Sequence, residues 1–397
     1  MNNVFLTKFS DKIFYKKEGQ DKIYNDFLNL QDNFVISHNF TSENSVGIFS
    51  VYSFLTGEIF NDNLWNRYKL NNEIFSKVKK IKYYQKQEHY GFLPEAIMAE
   101  FAEQYIQFIE NIYNEFIKDK DFKFNKNALL NFEKINSVLY MLSQHNPFLI
   151  IKADIESYRQ HIYSIDNFYF LKVNYTMNTA NGLITSYDRS MNNISKNDEI
   201  RDCIVSRFGK KGKILLADYN AFQPRILFSI AGYDVNTEDD FYKDISNKLK
   251  INAKRDEIKL NIFRTLYSGY ENKTIFENIE LLKSKLLNEY SSNGYISSIT
   301  GRRKYIEKDK LSNKLINTFV QLAQADIIIE FLIKINKFLS NKRTKLISFI
   351  SDCFIFDVHE NENDELKEFL KNNLQKSIYL NGFLKLNFKE GKSWAEC

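Results

Sequence analysis

Two short stretches of this sequence decide the fold: LLADY at residues 215–219 and ISFISDCFIF at residues 347–356. Each is an apolar, strand-like run with an aspartate at its edge, Asp218 in the first and Asp352 in the second. A carboxylate beside a buried strand is costly unless a cation meets it. Two of them favour a pair of Mg²⁺ ions and phosphoryl transfer, because Mg²⁺ prefers oxygen ligands and two-metal sites serve such displacements.

Each aspartate also has an ordinary structural interpretation. Asp218 precedes a helix-like segment and suits a helix N-cap, which is the commoner role of a single aspartate there. Asp352 lies between two apolar runs and suits a plain hairpin turn. Neither position alone therefore decides between a structural and a metal-binding role.

Size, charge and cysteine content set broad limits. The chain has 397 residues, enough for two or three domains, and a formal charge of +5, which supports an acidic partner only weakly. Its three cysteines follow no disulfide or zinc spacing, which favours a reducing compartment. Apolar runs such as residues 327–329 are too short to cross a bilayer, and no signal pattern opens the chain. We expect a cytoplasmic protein of a bacterial or phage-infected cell, without a membrane partner.

The pattern along the chain predicts three regions. Residues 1–78 alternate strand-like runs with turns and predict a small mixed α/β region, and residues 79–165 predict a helical region with two helices within 93–145. Residues 166–397 predict an α+β region. Its strands are expected at 168–173, 214–217, 346–350 and 354–358, and its helices at 220–232, 253–267, 275–289 and 311–340.

The segment 255–267 carries Arg255, Lys259, Phe263 and Tyr267 at steps of four residues. On a helix they lie along one face, because each step of four advances only about 40° around the axis. Two cations followed by two aromatic rings suit a triphosphate at one end and a base at the other. An amphipathic helix with a solvated basic edge gives the same pattern, and this segment alone favours neither interpretation.

A basic cluster, TGRRKY at residues 300–305, precedes a helix-like segment with Asn317 and Gln321. Arg302 and Arg303 beside a glycine suit contacts with nucleic-acid phosphates. Asn317 and Gln321 share a helix face and can reach base or sugar edges. Without further context, a basic surface turn and a polar helix side are the commoner origins of these residues.

Taken in order, these segments resemble family A DNA polymerases, the class of bacterial polymerase I and its phage relatives. DYNAFQPRIL at 218–227 resembles the first catalytic motif of that family, the segment 255–267 its fingers helix, and SDCFIFDV at 351–358 its His-Asp-Glu motif. The segments GRRKY at 301–305 and 317–328 resemble later palm motifs. NGLITS at 181–186 and NNI at 192–194, followed by IR at 200–201, resemble the family's Thr-Gly-Arg-Leu-Ser-Ser and Gln-Asn-Ile-Pro-x-Arg stretch.

The resemblance implies a polymerase right hand, with an antiparallel palm sheet, helical fingers at roughly 233–300 and a helical thumb at 79–165. It implies that Asp218, Asp352 and the carbonyl of Tyr219 hold two Mg²⁺ ions, for which Mn²⁺ can substitute. The residues implied at the incoming nucleotide are Arg255, Lys259, Phe263, Tyr267 and Gln223. Those implied at the primer–template DNA are Arg302, Arg303, Asn317, Gln321, Thr185 and Asn193.

The sequence departs from the family pattern at several positions. Gln223 stands where the family usually has a glutamate that blocks the 2′-hydroxyl. It keeps the bulk and can accept a hydrogen bond from Tyr267, so selection of deoxynucleotides is expected to survive. Leu183, Ser351 and Cys353 replace an arginine, a histidine and a glutamate, which implies a slower or more specialised enzyme. Asp357 lies four residues beyond Cys353, too far along a strand to replace that glutamate without a bend.

The expected function is a template-directed DNA polymerase of a phage or mobile element that adds dNTPs to a primer 3′-hydroxyl. Residues 34–40 lack the Asp-x-Glu signature of a proofreading domain, so neither a 3′–5′ exonuclease nor a 5′ nuclease is expected. One alternative is a polymerase-fold enzyme that makes RNA or works without a template. Another is a nucleic-acid-binding accessory protein with little or no catalysis, against which the retention of both aspartates argues. The sequence is silent on a processivity factor or a separate exonuclease.

Overall fold

The computed structural model describes residues 2–9, 12–24, 33–37, 45–47, 95–116, 148–150, 162–165, 168–171, 173–176, 183–187, 200–235, 240–267, 274–306 and 315–397. The chain divides into two compact units, Met1–Glu133 and Lys134–Cys397. The predicted α+β class is confirmed, and the second unit has the antiparallel sheet expected for a palm and the helices expected for fingers. The division into three regions at residues 78 and 165 stays a prediction.

The described part of the first unit is a sheet with one helix against it. The sheet has the strand order β3-β2-β1-β4-β5. Its strands are β1 (Asn2–Phe9), β2 (Lys12–Lys17), β3 (Ile23–Tyr24), β4 (Asn33–Ser37) and β5 (Ser45–Gly47). Helix α1 (Glu95–Phe116) packs on β1 and β2, buries Phe108, and is joined to the sheet by the ion pair between Lys16 and Glu110 at 2.7 Å. The second helix predicted within 93–145 lies outside the described residues.

The second unit begins with small sheets. β11 (Ile204–Val205), β6 (Phe148–Ile150), β8 (Phe168–Leu171) and β7 (Ile162–Ile165) form one sheet in that order. β9 (Asn174–Thr176) and β10 (Thr185–Tyr187) form an antiparallel pair, and the short helix α2 (Ile200–Cys203) leads into β11. These elements precede the main sheet, and β8 confirms the strand predicted at 168–173.

The main sheet carries the aspartates. It consists of β15 (Lys345–Ile350), β16 (Cys353–His359), β12 (Gly212–Tyr219) and β17 (Leu386–Gly391), in that order and antiparallel throughout. β16 is an almost continuous apolar run, as expected of an inner strand covered on both faces. The three strands predicted here are confirmed. The sequence did not predict β17, because its sequence LNFKEG is largely polar. Such a composition is common in an edge strand whose side chains face water.

Helices surround this sheet. They are α3 (Phe222–Ile230), α4 (Phe241–Lys248), α5 (Arg255–Tyr267), α6 (Glu277–Asn293), α7 (Leu315–Leu339) and α8 (Asn363–Leu374), with the hairpin of β13 (Tyr295–Ser297) and β14 (Arg303–Tyr305) before α7. The four predicted helices are confirmed as α3, α5, α6 and α7, with ends shifted by a few residues. The short helices α4 and α8 were not predicted, because eight to twelve residues give few turns of periodicity.

Helix α7 is the centre of the second unit. It contacts α3, α5, α6, α8 and β15, and it is apolar nearly all round, as a helix buried on every side must be. By length and composition it could cross a membrane, yet 78% of its most apolar window is buried inside the protein. Each fully buried Leu or Ile on it stabilises the fold by about 1.5–3 kcal/mol.

Gly212 begins β12 where the chain has no room for a side chain. A Cβ there would collide with Ser206 Oγ and lie 2.7 Å from Phe208 Cβ. Ser206 cannot give way freely, because its hydroxyl donates to Asp357 Oδ1 at 2.6 Å. We expect Gly212→Ala to lower the free energy of unfolding by about 1–3 kcal/mol, measured by urea denaturation.

The neighbouring Lys213→Ala serves as the control. Its partly exposed side chain pairs with Glu390, so its loss is expected to cost at most about 1 kcal/mol. If Gly212→Ala is as stable as the wild type, the close approach between Gly212 and Ser206 is wrong.

Candidate active site

The two aspartates lie at the same end of the main sheet. In the register of β12 against β16, Asp218 is opposite Cys353, the residue that follows Asp352. Asp352 sits in the turn between β15 and β16, as predicted, and its carbonyl accepts a hydrogen bond from the Tyr219 N–H at 3.1 Å. Strand pairing therefore brings together two carboxylates that are far apart in sequence.

The carboxylates interact electrostatically. Burial raises the pKa of Asp352 to about 6, and the negative charge of Asp218 adds to the rise. Such mutual repulsion is what a divalent cation between the two groups would relieve, so this pair fits a Mg²⁺ site. No third His, Cys, Asp or Glu joins them among the described residues. Further oxygen ligands would come from the backbone, the substrate or water.

Tyr219 contributes to this site through its backbone. Its ring is buried and stacks on Phe222 with centroids 4.3 Å apart, and its hydroxyl donates to the Leu374 carbonyl at 2.7 Å. Burial also raises the pKa of Tyr219 well above its usual range. The side chain is thus part of the core, which leaves the predicted carbonyl as the group of Tyr219 that can serve a metal.

A buried arginine holds the connection after Asp218. Ala221 adopts the left-handed conformation, with φ 53°, as the chain turns from β12 into α3. Arg225 is fully buried, and its guanidinium donates to the carbonyls of Asn220 at 3.0 Å and Phe383 at 3.1 Å. Sequence reasoning quoted Arg225 within a motif but assigned it no role. Its only signal was a single charged residue in an otherwise uncharged helix.

The four residues predicted to share a helix face are all on α5. Lys259 Nζ lies 5.9 Å from the centroid of the Phe263 ring, and the rings of Phe263 and Tyr267 stack with centroids 5.8 Å apart. Arg255 pairs with Asp240 at 2.7 Å, the residue that also caps α4. A phosphate would therefore have to compete with Asp240 for Arg255, whereas Lys259 and the two rings form a partly exposed surface.

The end of α5 is hydrogen-bonded to α3, the helix that follows Asp218. Tyr267 Oη donates to Gln223 Oε1 at 3.0 Å, which confirms the hydrogen bond predicted between them. Partial burial raises the pKa of Tyr267, and the charge of Asp352 adds to that rise, so the ring lies near the carboxylate pair. Gln223 Nε2 in turn donates to Gln324 Oε1 on α7 at 2.8 Å. Sequence reasoning missed Gln324, because its partners lie on other elements and nothing local distinguishes it from the other amides of α7.

The expectation that Arg302 contacts DNA is corrected by the structure. Arg302 is 1% exposed, its Nε pairs with Asp326 Oδ1 at 2.5 Å, and its guanidinium also donates to the Leu322 carbonyl at 2.9 Å. The guanidinium thus joins the β13–β14 hairpin to α7 and does not face solvent. Its neighbour Arg303 is partly exposed, with its guanidinium 4.8 Å from the Tyr295 ring centroid.

The other predicted DNA contacts remain predictions. Asn317 and Gln321 lie partly exposed on α7, and Thr185 lies in β10. Asn193 lies outside the described residues.

The residues that depart from the family pattern behave as structural parts of the turn and sheet. Asp357 lies opposite Ile214, about 13 Å along the strand from Cys353. It accepts from Ser206 and Arg207, so it does not replace the missing glutamate. Burial raises the pKa of Cys353, and a neutral thiol is a poor ligand for Mg²⁺. Ser351 occupies the turn with φ 56°.

The buried pair of Arg302 and Asp326 makes a testable prediction. Arg302→Ala leaves Asp326 buried without its cation, so the free energy of unfolding should fall by about 3–5 kcal/mol. Arg303→Ala, at the partly exposed next position, should change it by only about 0.5 kcal/mol. Urea denaturation of both variants provides the measurement, and equal effects would contradict the buried ion pair.

Comparison with known proteins finds similarity to DNA polymerases. Residues 243–396 match the family model described as DNA polymerase family A. The chain is 26% identical to DNA polymerase I of Borreliella burgdorferi, over 94% of this chain and 49% of that protein. It is 25% identical to DNA polymerase I of Lactococcus lactis, over 55% of this chain and 30% of that protein. It is 24% identical to DNA polymerase theta of Drosophila melanogaster, over 30% of this chain and 7% of that protein.

The chain therefore spans about half the length of the Borreliella protein. Among solved structures, the POL domain of Pol1 from M. smegmatis in complex with DNA primer-template and dNTP aligns with 88% of this chain and 64% of its own, at 15% identity and a TM-score of 0.44. The match over 243–396 includes α5, the 300–328 segments and Asp352, in the order in which the sequence motifs occur. Over these residues the chain is similar to the family A DNA polymerases.

Proposed function

We propose that this protein is a template-directed DNA polymerase that adds deoxynucleotides to a primer 3′-hydroxyl. The observation that carries the proposal is the convergence of Asp218 and Asp352 at one end of the main sheet, beside the end of α5. The similarity of residues 243–396 to the DNA polymerase family A model supports the same reaction. The proposed partners are a primer–template DNA and dNTPs.

The metal-binding residues in this proposal are Asp218, Asp352 and the carbonyl of Tyr219. These groups would hold two Mg²⁺ ions, whose positive charge would lower the pKa of the primer 3′-hydroxyl and offset the negative charge of the triphosphate and of the leaving pyrophosphate. The chain's own contribution is to hold Asp218, at the end of β12, beside the turn that carries Asp352. The backbone hydrogen bond from Tyr219 to the Asp352 carbonyl keeps the turn in place.

The nucleotide-binding residues lie along α5. Lys259 would bind the phosphates, and Arg255 would join it once its ion pair with Asp240 opens. Phe263 would pack on the sugar and base. Tyr267 would lie at the templating base. Its hydroxyl donates to Gln223 and so positions the side chain of Gln223. Gln223 would then fill the space beside C2′ of the incoming sugar and exclude a ribose hydroxyl.

We further propose that this chain has no 3′–5′ exonuclease activity of its own. The support is the absence of an Asp-x-Glu pair from residues 34–40 of the sequence. Shortening of a labelled single strand from its 3′ end, tested with and without Mg²⁺, would contradict this part of the proposal.

Primer extension tests the main proposal. A labelled primer–template is incubated with Mg²⁺ and dNTPs, with NTPs, or without template. Extension that copies the template with dNTPs supports the proposal. Addition without a template, or efficient use of NTPs, favours the alternative polymerase activity. DNA binding without synthesis favours an accessory role.

The metal site makes a second prediction. Asp218→Asn and Asp352→Asn should each lower the incorporation rate by at least about 10³-fold, because a catalytic metal supplies several kcal/mol of transition-state stabilisation. Asp364→Asn, at an exposed aspartate on α8, should leave the rate unchanged. Retention of near-wild-type rates by either site variant would exclude the proposed metal ligands.

The sugar contact makes a third prediction. Gln223→Ala removes the bulk proposed beside C2′, so the ratio of ribonucleotide to deoxynucleotide incorporation should rise by about tenfold or more. Single-nucleotide incorporation opposite one template base measures the ratio. An unchanged ratio would mean that another side chain excludes the ribose hydroxyl.

A further inference from the structure

A continuous set of hydrogen bonds joins α5 to the turn that carries Asp352. Tyr267 Oη bonds to Gln223 at 3.0 Å, Gln223 Nε2 to Gln324 Oε1 at 2.8 Å, and Gln324 Nε2 to the Ser351 carbonyl at 3.0 Å. Gln324 is 3% exposed and lies in the middle of α7. We call these four groups the amide relay.

The end of the relay at Ser351 fixes its direction. A backbone carbonyl only accepts hydrogen bonds, so Gln324 must present its NH₂ group to Ser351 and its oxygen to Gln223. Gln223 must then present its NH₂ group to Gln324 and its oxygen to Tyr267, whose hydroxyl donates. Each amide has one orientation that satisfies both of its partners, so the two amide orientations depend on each other.

The relay holds a turn that is under backbone strain. Ser351 has φ 56°, a left-handed conformation that is unfavourable for a residue with a side chain. The turn is held on one side by Gln324 through the Ser351 carbonyl and on the other by the Tyr219 N–H through the Asp352 carbonyl. Loss of the Gln324 contact would remove the hydrogen bond between this turn and α7, while the contact from the Tyr219 N–H on β12 would remain.

We propose that Gln324 is a positioning residue that couples the side chain of Gln223 on α3 to the turn carrying Asp352. This inference rests on the proposed polymerase function. It assigns Gln324 no contact with the substrate: the residue acts through Gln223 on sugar selection and through Ser351 on the metal-binding turn.

The relay also requires an amide at position 223. An ionised glutamate accepts but cannot donate, so in Gln223→Glu two oxygens would face each other unless Gln324 turned over. If Gln324 turned over, its oxygen would face the Ser351 carbonyl and the tether would be lost. Gln223→Glu should therefore be harmful only while Gln324 is present, although glutamine and glutamate have nearly the same size.

The first test uses Gln324→Met, which keeps the volume but removes both hydrogen bonds. With one primer–template and Mg²⁺, the ratio of ribonucleotide to deoxynucleotide incorporation should rise about 2–10-fold, since a hydrogen bond ordinarily contributes about that factor. The ratio is independent of the fraction of folded enzyme. A residue that serves packing alone would leave it unchanged, and that result would overturn the proposal.

Glu330→Gln is the matched control. Glu330 is also buried on α7, but its side chain accepts from Ser377 Oγ at 2.6 Å and from the Ile378 N–H, outside the relay. This variant is expected to lower the thermal unfolding temperature without changing the nucleotide ratio. A change in the ratio as large as that in Gln324→Met would show that any loss of rigidity in α7 has the same effect, and would overturn the specific role of Gln324.

A double-variant cycle tests the dependence between the amides. At about pH 8, where an ordinary glutamate is ionised, Gln223→Glu should lower dNTP incorporation by about tenfold. The double variant Gln223→Glu with Gln324→Met should be at least about threefold more active than the product of the two single losses, because the opposed oxygens are gone.

The outcomes separate this inference from the function on which it rests. If the wild type is active and the losses of the two single variants simply multiply in the double variant, the relay is overturned and the polymerase function remains intact. A wild type that makes no product with any nucleotide, although it binds primer–template, overturns the proposed function and the role of Gln324 with it.

Discussion

The antiparallel pairing of β12 with β16 is the constraint on which the rest of the site depends. It places Asp218 opposite Cys353 and so beside Asp352, two carboxylates that repel each other. The sheet holds them together through backbone hydrogen bonds along seven residue pairs of β12 and β16, and through β17 on the other edge of β12. This arrangement favours binding of a divalent cation, because such an ion would relieve the repulsion between the two carboxylates.

The core supports this arrangement with apolar side chains packed against the sheet. It also contains a few buried charged groups, each of which has a partner. Helix α7 is buried along most of its length, and three of its buried polar residues, Gln324, Asp326 and Glu330, join it to other elements. Asp326 holds the β13–β14 hairpin through Arg302, and Glu330 holds the loop at Ser377. Such buried groups stabilise the fold only while their partners remain, so they tie distant segments to one helix.

The same helix connects the proposed nucleotide site with the proposed metal site. Gln324 lies between Gln223 and Ser351, and the direction of donation along these groups is set by a carbonyl at one end. In this arrangement the glutamine at 223 is not simply a neutral version of a glutamate. It is the residue that can accept from Tyr267 and donate to Gln324 at once.

The sequence by itself determined the elements with strong local patterns. The apolar runs around Asp218 and Asp352 predicted strands, and the four-residue steps from Arg255 to Tyr267 predicted α5. The order of these motifs indicated the similarity to family A DNA polymerases. These features are readable because they depend on neighbours within a few turns or residues of the same element.

Only the tertiary structure decided which polar residues face solvent and which join the core. Arg302 and Arg303 are adjacent and alike in sequence, yet the first is buried against Asp326 and the second is partly exposed. Gln324 gains its importance from Gln223 and Ser351, which lie 101 and 27 residues away in the chain. Partners at such separations are set by packing and strand register, and a single sequence carries no local signal for either.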